Sequence, residues 1–307
     1  MTYDLAIIGG GPAGVAAGVY AARKRLKTVL ITNDFQNQSS VSEHIQNWIG
    51  TISISGTDLS KNFEAHLEAY KGDVLDIKKG HWTNSVVKEG NEFVITTDKE
   101  TFRAKTVLTT VGSRRRKLEV PGAEEFDNKG LTYCASCDGP LFADMDVVVL
   151  GGGNAAFESA AQLLAYCKSV TLLTRNEFRA DQITVDALLK NPKFKAITHT
   201  DILEVKGDKF VNGIVYKNRN TGETISLPVS GIFVEIGLLP NTDLMKGVVN
   251  LDTYGHIVVD PRTQRTSVEG IWAAGDCTDG IYHQNNIAAG DAVKALEDIY
   301  IYLHLKR

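Results

Sequence analysis

The sequence predicts an α/β protein built from two similar units. Two segments, beginning near residues 3 and 146, each run from a short apolar strand through a glycine-rich turn into an Ala-rich helix and then a second apolar strand. Such alternation is typical of parallel sheets covered by helices. The length of 307 residues agrees with two domains of roughly 150 residues each.

The predicted elements follow from local patterns of apolar residues and turn formers. Residues 81–111 and 205–227 alternate polar and apolar side chains around Gly- and Asn-containing turns, which is typical of antiparallel hairpins. The remaining predicted elements are strands over 3–8, 28–32, 146–150, 170–174 and 256–259, a strand-like segment over 270–276, and helices from 12 to 25, from 154 to about 167 and from about 286 onwards.

Composition excludes several classes of protein. The chain has 33 basic and 37 acidic side chains, a net charge of −4, and no basic stripe suited to nucleic-acid phosphates. It shows no run of the roughly 18–20 apolar residues that a membrane span requires. No charged-then-apolar leader pattern precedes the first strand. We therefore expect a cytoplasmic protein.

The first glycine turn has the spacing G-x-G-x-x-G, formed by Gly9, Gly11 and Gly14. In this motif the first glycine permits a tight turn, the second lets a pyrophosphate approach the backbone, and the third lets helix and strand pack closely. The following helix N-terminus offers free N–H groups to the phosphates. The pattern predicts a dinucleotide site, and the alternative is a glycine-rich turn without a ligand.

The second turn repeats this pattern with Gly151, Gly153 and Ala156, the G-x-G-x-x-A variant. It predicts a second dinucleotide, and the alternative is a duplicated domain that has lost its ligand. After the second strand of this unit stand Arg175 and Arg179 rather than a carboxylate, so NADH is not favoured. The two arginines either meet a 2′-phosphate or are solvated.

Cysteine spacing points to redox chemistry. Cys134 and Cys137 form a C-x-x-C pair followed by Asp138, whereas Cys167 and Cys277 stand alone. A structural zinc site would require a second pair of ligands, which the spacing does not provide. A dithiol closing into a reducible loop is the favoured interpretation. Asp138 is placed either to exchange a proton with a thiol or to form a turn.

Two dinucleotide folds and a redox pair suggest one electron path. A flavin is the natural intermediary between a nicotinamide and a disulfide. Electrons would pass from a donor to a flavin, then to Cys134–Cys137, and then to an external disulfide.

At these motifs the chain resembles the low-molecular-weight thioredoxin reductases, FAD-dependent pyridine nucleotide-disulfide oxidoreductases, over essentially its whole length. The C-x-x-C pair argues against the related ferredoxin–NADP reductases, and the lack of a preceding domain argues against the related alkyl hydroperoxide reductase flavoprotein. The matching segments are 8–14, 46–50, 133–139, 151–156, 237–242 and 273–276.

The resemblance implies two Rossmann-like, three-layer domains, the second inserted into the first. Residues 1–116 and 244–307 would bind FAD, and residues 117–243 would carry the nucleotide and the dithiol. It also implies a homodimer, domain rotation and a thioredoxin-like disulfide partner. Cys137 would lie nearest the flavin, Cys134 would attack the partner, Asp138 would serve as acid–base residue and Asp276 would lie by the flavin ribityl chain.

Motif and resemblance together define the predicted site residues, with no metal among the cofactors. For the second dinucleotide they are Gly151, Gly153, Asn154, Ala155, Ala156, Arg175 and Arg179. For FAD they are Gly9, Gly11, Pro12, Ala13, Gly14, Thr32, Gln38, His44, Asn47, Gly112, Gly275, Asp276, His283, Gln284 and Asn285.

Departures from the family pattern leave the electron donor open. The family usually carries His-Arg-Arg and a further Arg for the NADPH 2′-phosphate, whereas this chain has Leu173, Thr174 and Arg175, then Arg179. Segments 36–38, 110–112 and 283–285, expected near the flavin, have changed as well. The alternatives to NADPH are a ferredoxin-type donor or a second bound FAD, and a further alternative is a non-catalytic flavin and dithiol redox sensor.

Overall fold

A computed structural model describes residues 2–36, 38–42 and 45–305. The chain divides into two compact units, of which one comprises residues 1–114 with 239–307 and the other residues 115–238. The second unit therefore interrupts the sequence of the first.

The first unit begins with a parallel β-α-β segment followed by three strands joined by hairpin turns. Its elements before the crossing to the second unit are β1 (Thr2–Ile8), α1 (Pro12–Arg23), β2 (Thr28–Thr32), a 3-10 turn (Gln38–Val41), α2 (Gly56–Tyr70), β3 (Leu75–Lys79), β4 (Thr83–Glu89), β5 (Glu92–Thr97), β6 (Thr101–Thr109) and β7 (Ser113–Arg115).

The second unit contains its own β-α-β segment and an antiparallel meander. Its elements are β8 (Leu131–Thr132), α3 (Ala135–Asp138), a 3-10 turn (Gly139–Phe142), β9 (Asp146–Leu150), α4 (Asn154–Leu163), β10 (Ser169–Leu173), α5 (Gln182–Leu189), β11 (Phe194–Ile197), β12 (Thr200–Gly207), β13 (Val211–Asn218), β14 (Thr224–Pro228) and β15 (Gly231–Val234). Strand β16 (Leu238–Pro240) spans the boundary between residues 238 and 239, where the chain returns to the first unit. The chain then completes the first unit with a 3-10 turn (Asp243–Met245), β17 (Ile271–Ala273) and α6 (Asn285–His304).

The first unit is a three-layer structure around one sheet. The sheet runs β3-β2-β1-β6-β5-β4, and β17 pairs with β6. Its centre, β3-β2-β1-β6 with β17, is parallel, whereas β5 and β4 are antiparallel to β6 and β5. Alternate residues of β1 enter different cores: Leu5 and Ile7 pack with α1, α2 and α6, and Ala6 and Ile8 pack with side chains of β4 to β6.

The second unit repeats this layering. Its parallel sheet runs β11-β10-β9-β15-β8, and β12, β13 and β14 form a separate antiparallel sheet. Val147 and Val149 face the core that contains side chains of α4 and α5, whereas Val148 and Leu150 face the core built with the antiparallel sheet. The α/β fold class and the two Rossmann-like domains are thus confirmed.

Several predicted elements are shorter in the structure; helix α1, for example, ends at Arg23 rather than at residue 25, where Arg25 adopts φ +57°. Helix α4 ends at Leu163 rather than near residue 167, because the next hydrogen bonds join residues three apart rather than four. They run from Ala165 N to Gln162 O (3.1 Å) and from Tyr166 N to Leu163 O (3.2 Å). The predicted strand over 256–259 is reduced to isolated bridges of Ile257. Within the described ranges, no helix is both long enough and apolar enough to cross a bilayer.

Candidate functional site

The first glycine turn has the geometry that its motif predicts. Gly9 adopts φ +119°, a conformation that side chains rarely tolerate, and a Cβ there would overlap the carbonyl oxygen of Thr110. A Cβ on Gly14 would overlap the carbonyl oxygen of Gly9, so helix and turn touch backbone to backbone. A Cβ on Gly11, by contrast, would meet no described atom within 4 Å. The turn thus leaves an open face at the middle glycine.

Helix α1 presents its N-terminus at this open face. It begins at Pro12 with Gly11 as N-cap, and none of the side chains that the structure describes caps it. Its first turn carries no acidic residue, so no local carboxylate neutralises the positive end of the helix dipole. Residues 11–14 therefore form a backbone cradle suited to an anion such as a pyrophosphate.

A polar rim gathers the other predicted FAD residues of the first unit. Gln38 Nε2 donates to Asp276 Oδ2 at 3.3 Å and to Ser113 Oγ at 3.0 Å. Asn285 Nδ2 donates to Ser39 Oγ at 3.0 Å. Gln38 and Asp276 are 238 residues apart in the sequence, and Ser39 and Asn285 are 246 residues apart, so the fold brings distant segments together.

The rim joins the glycine turn through Gly275. This residue has φ +79°, and a Cβ there would lie 3.4 Å from the Ala13 Cβ at the start of α1. Asp276 is therefore held next to the cradle. Thr32, the last residue of β2, also lies against the glycine turn, since a Cβ on Gly10 would be 2.6 Å from Thr32 Oγ1. The Gly112 carbonyl oxygen accepts a hydrogen bond from the Asn241 backbone N–H at 3.0 Å. His44, also predicted to bind FAD, lies outside the described residues.

Two half-buried histidines form a stacked pair near Asp276. The rings of His256 and His283 stack with centroids 6.2 Å apart, and His256 Nδ1 lies 3.0 Å from Asp252 Oδ2. The Nε2 atoms of both histidines are buried without a hydrogen-bond partner among the described residues. Burial lowers the pKa of His283, with Asp276 opposing and His256 adding to the effect. Because unpaired buried polar atoms are rare, these two nitrogen atoms fit a site that binds a polar ligand.

The second glycine turn repeats the first in detail. Gly151 has φ +146°, and a Cβ there would overlap the carbonyl oxygen of Glu235. Ala156, fully buried, occupies the third motif position, and a Cβ on Gly153 would meet no described atom within 4 Å. Helix α4 begins at Asn154, has no acid in its first turn and receives no cap from a described side chain. Residues 153–156, including Ala155, therefore form a second anion cradle.

An ion cluster lies at the end of β10, where Arg175 follows the strand. Arg175 Nε lies 3.2 Å from Asp201 Oδ1, and Arg219 Nε lies 3.8 Å from Asp201 Oδ2. Arg179 lies closer to the glycine turn, because its backbone N–H donates to the Gly152 carbonyl at 2.7 Å. The two predicted arginines thus occupy different parts of the second site.

A half-buried acid lies beside the second glycine turn. Glu235 follows β15, and its Oε1 accepts a hydrogen bond from Ser159 of α4 at 2.7 Å. Burial raises the pKa of Glu235, while the Ser159 hydrogen bond and Arg115 oppose that effect.

The cysteine pair is oxidised and belongs to the second unit. Cys134 and Cys137 form a disulfide with an S–S distance of 2.14 Å. Cys134 caps the short helix α3, and its carbonyl accepts from Asp138 N at 3.1 Å. Thr132 Oγ1 accepts from Cys134 N at 3.3 Å and donates to Asp138 Oδ2. Thr132 thereby fixes Asp138 against the same turn as the disulfide.

Comparison with known proteins places the chain in a family. The family described as pyridine nucleotide-disulphide oxidoreductase matches residues 3–292. The thioredoxin reductase from Giardia duodenalis superposes with a TM-score of 0.90, at 32% identity over 98% of this chain and 99% of that chain. The chain belongs to the pyridine nucleotide-disulphide oxidoreductase family, and the predicted resemblance is confirmed.

Curated relatives extend the likeness to longer proteins. An NADH dehydrogenase of Bacillus subtilis (strain 168) is 37% identical over 98% of this chain and 58% of its own length. The F component of the alkyl hydroperoxide reductase of Pseudomonas putida is 39% identical over 95% of this chain and 56% of its own length. The chain thus spans less than two thirds of these relatives, and the likeness includes a group that the sequence analysis set aside.

Sequence reasoning missed several polar residues that complete these sites. All of them except Thr132 and Asp252 reach their sites through contacts with residues far away in the sequence. One local signal existed for Thr132, because a hydroxyl two residues before a helix cap can bond the helix backbone. The missed residues are Ser39, Ser113, Thr132, Ser159, Asp201, Arg219, Glu235, Asp252 and His256.

Proposed function

We propose that the protein is an FAD-dependent disulfide oxidoreductase that carries electrons from a pyridine nucleotide to a thioredoxin-like disulfide protein. The observation that carries this proposal is the Cys134–Cys137 disulfide, set in a unit with its own dinucleotide cradle. A disulfide three residues apart on a helix turn closes a small loop that thiol exchange can open and close.

The residues of the first unit fit FAD. The open face at Gly11 accommodates a pyrophosphate, and the Nε2 atoms of His256 and His283, which have no partner among the described residues, supply polar groups for the remainder of the cofactor. Gln38, Asn47 and Asp276 would hold the ribityl and ring portions from the polar rim. When bound, FAD supplies two-electron chemistry that links a nicotinamide to a disulfide.

The second cradle fits the phosphates of a pyridine nucleotide, the second dinucleotide of this family. Asn154 and Ala155 would offer backbone N–H groups at the start of α4. Arg175 lies where the adenosine ribose is bound in folds of this class. This arrangement favours a nucleotide donor over ferredoxin, and NADPH over a second flavin.

The cysteines themselves perform the exchange with the partner. The reduced Cys134 thiolate attacks one sulfur of the partner disulfide, forming a mixed disulfide and releasing the other partner sulfur, which takes a proton. The Cys137 thiolate then attacks Cys134 Sγ, which restores the Cys134–Cys137 bond and releases the second partner thiol. The partner gains two electrons and two protons, and Asp138 is placed to move one of these protons.

A second candidate partner follows from the curated relatives. One of these relatives is the F component of the alkyl hydroperoxide reductase of Pseudomonas putida, which is 39% identical to this chain. A peroxide-reducing protein with a reducible disulfide would receive electrons by the same exchange. Turnover with such a partner, but not with thioredoxin-like proteins, would favour this second function.

We also propose a homodimer, as the resemblance implies. Ile49, Ile52 and Ile281 are 82%, 95% and 84% exposed, on two loops of the first unit. The bond from Asn47 Nδ2 to Gln284 Oε1 at 3.1 Å joins these two loops, and we propose that their exposed isoleucines take part in the dimer contact. A monomeric mass in light scattering of the FAD-loaded protein would contradict this assembly.

The test is anaerobic addition of NADPH to the yellow protein while the flavin absorbance is followed. Rapid bleaching, followed by reduction of a thioredoxin-like disulfide, is the expected result. Cys134→Ser should keep a reducible flavin but neither trap nor reduce a partner. Turnover of a disulfide substrate by this variant would contradict the proposed exchange, and bleaching by dithionite but not by NADPH would contradict the donor.

A further inference from the structure

The hairpin turn between β13 and β14 delivers a basic residue to the second nucleotide site. Arg219, on this turn, lies forty-four residues beyond Arg175, and its Nη1 donates to the Arg175 carbonyl at 3.0 Å. Its backbone N–H donates to the His199 carbonyl at 2.7 Å. Two anchors thus fix Arg219 beside the end of β10.

The turn is itself rigidly built. The Asn218 side-chain carbonyl accepts from the backbone N–H of Asn220 at 2.9 Å and of Thr221 at 3.3 Å. Gly222 closes the turn with φ +74° and bonds back to the Asn218 carbonyl at 2.7 Å. Arg219 is therefore presented by an ordered segment.

Asp201 lies between the two guanidinium groups. It is 3.2 Å from Arg175 and 3.8 Å from Arg219, so two positive charges share one carboxylate. The side chains of Arg175 and Arg219 remain 77% and 42% exposed, which leaves donors for a further anion. A dianionic phosphate suits such a paired fork better than it suits one arginine.

We infer that Arg219, acting with Arg175, selects a nucleotide that carries a 2′-phosphate, and that Asp201 weakens this selection as a competing anion. The inference rests on the proposed function of the second cradle as a pyridine-nucleotide site. Arg219 lies on a hairpin outside the glycine motif and supplies a positive charge that the segment after β10 lacks. Arg219 is a specificity-determining residue in this account, and Asp201 competes with the phosphate for both guanidinium groups.

The experiment measures binding of two probes to the FAD-loaded protein by calorimetry. Adenosine 2′,5′-bisphosphate and adenosine 5′-monophosphate differ only in the 2′-phosphate, so their affinity ratio isolates this subsite. Arg219→Ala should weaken the bisphosphate about tenfold or more and leave the monophosphate unchanged. Asp201→Asn should act in the opposite direction and tighten the bisphosphate alone.

Two controls guard against charge and folding effects. Lys209→Ala removes one exposed positive charge from the turn between β12 and β13 and should leave both affinities unchanged. Arg219→Lys keeps the charge without the planar fork and should fall between wild type and Arg219→Ala.

The outcomes separate this inference from the function on which it rests. If Arg219→Ala weakens the affinity for both probes equally, or for neither, the role of Arg219 is overturned and the proposed nucleotide site remains. If Asp201→Asn binds neither probe more tightly than the wild-type protein does, the role of Asp201 is overturned. Failure of the wild-type protein to bind either probe would overturn the proposed nucleotide site as well.

Discussion

Asn47 donates a side-chain hydrogen bond to Gln284 Oε1 at 3.1 Å, although 237 residues separate them in sequence. Asn286 Nδ2 reinforces this contact by donating to the Asn47 carbonyl at 2.6 Å. The two segments belong to opposite ends of the chain, and the second unit intervenes between them. Their contact shows that the polar rim of the first unit is complete only when both chain segments have folded together.

Substitutions in the first glycine turn should distinguish residues needed for helix packing from residues needed for FAD binding. Gly14→Ala should destabilise the protein by about 1–3 kcal/mol, because its Cβ would overlap the Gly9 carbonyl oxygen. Gly11→Ala should leave the stability of the apoprotein within about 0.5 kcal/mol of wild type, because its Cβ meets open space. Denaturant unfolding of the FAD-free variants measures both effects.

Gly11→Ala should nevertheless fail to retain FAD on purification, since the added methyl group occupies the face offered to the pyrophosphate. Gly90→Ala is the comparison, because Gly90 lies in the turn between β4 and β5, away from the predicted FAD residues, and a Cβ there would also meet no described atom within 4 Å. This variant should keep FAD. A Gly11→Ala protein that binds FAD normally would refute the cradle.

The sequence predicts the parts of these sites that depend on local backbone geometry. The conformation of Gly9 and the close approach of Gly14 restrict residue type, so the motif can be recognised without a fold. The C-x-x-C pair is likewise local. Arg219 and His256 depend instead on the placement of a hairpin and a loop, and no spacing rule connects them to their sites.

The histidine pair predicts a pH dependence of stability in the first unit. Burial, with a contribution from His256, lowers the pKa of His283 below its ordinary value of 6.5, while Asp276 opposes this change. The unfolded chain then binds a proton more readily than the folded chain. Stability should fall as pH drops below about 6.5, by up to about 1.4 kcal/mol per pH unit, and level off below the folded pKa.

Intrinsic fluorescence can follow this effect, because all three tryptophans, Trp48, Trp82 and Trp272, belong to the first unit. His283→Gln should flatten the dependence of urea-unfolding free energy on pH between 7 and 5. The matched variant, His66→Gln on the exposed face of α2, should retain the wild-type slope. Equal slopes in wild type and His283→Gln would show that His283 does not control this titration.

The two isolated cysteines should be unreactive in the folded protein. Burial raises the pKa of Cys167 to about 11 and that of Cys277 to about 12, so few thiolates form at pH 8. Ellman's reagent should therefore detect no thiol in the native oxidised protein and two after denaturation, because Cys134 and Cys137 are paired. A fast-reacting thiol in the native protein would contradict the burial of Cys167 or Cys277.

The most direct test of the central claim counts thiols after nucleotide reduction. The FAD-loaded protein is mixed anaerobically with excess NADPH, quenched in acid, alkylated and mapped by mass spectrometry. We predict alkylation of Cys134 and Cys137 in addition to Cys167 and Cys277, with FAD-free protein as the unreduced control. Reduced flavin together with an intact Cys134–Cys137 disulfide would contradict the account.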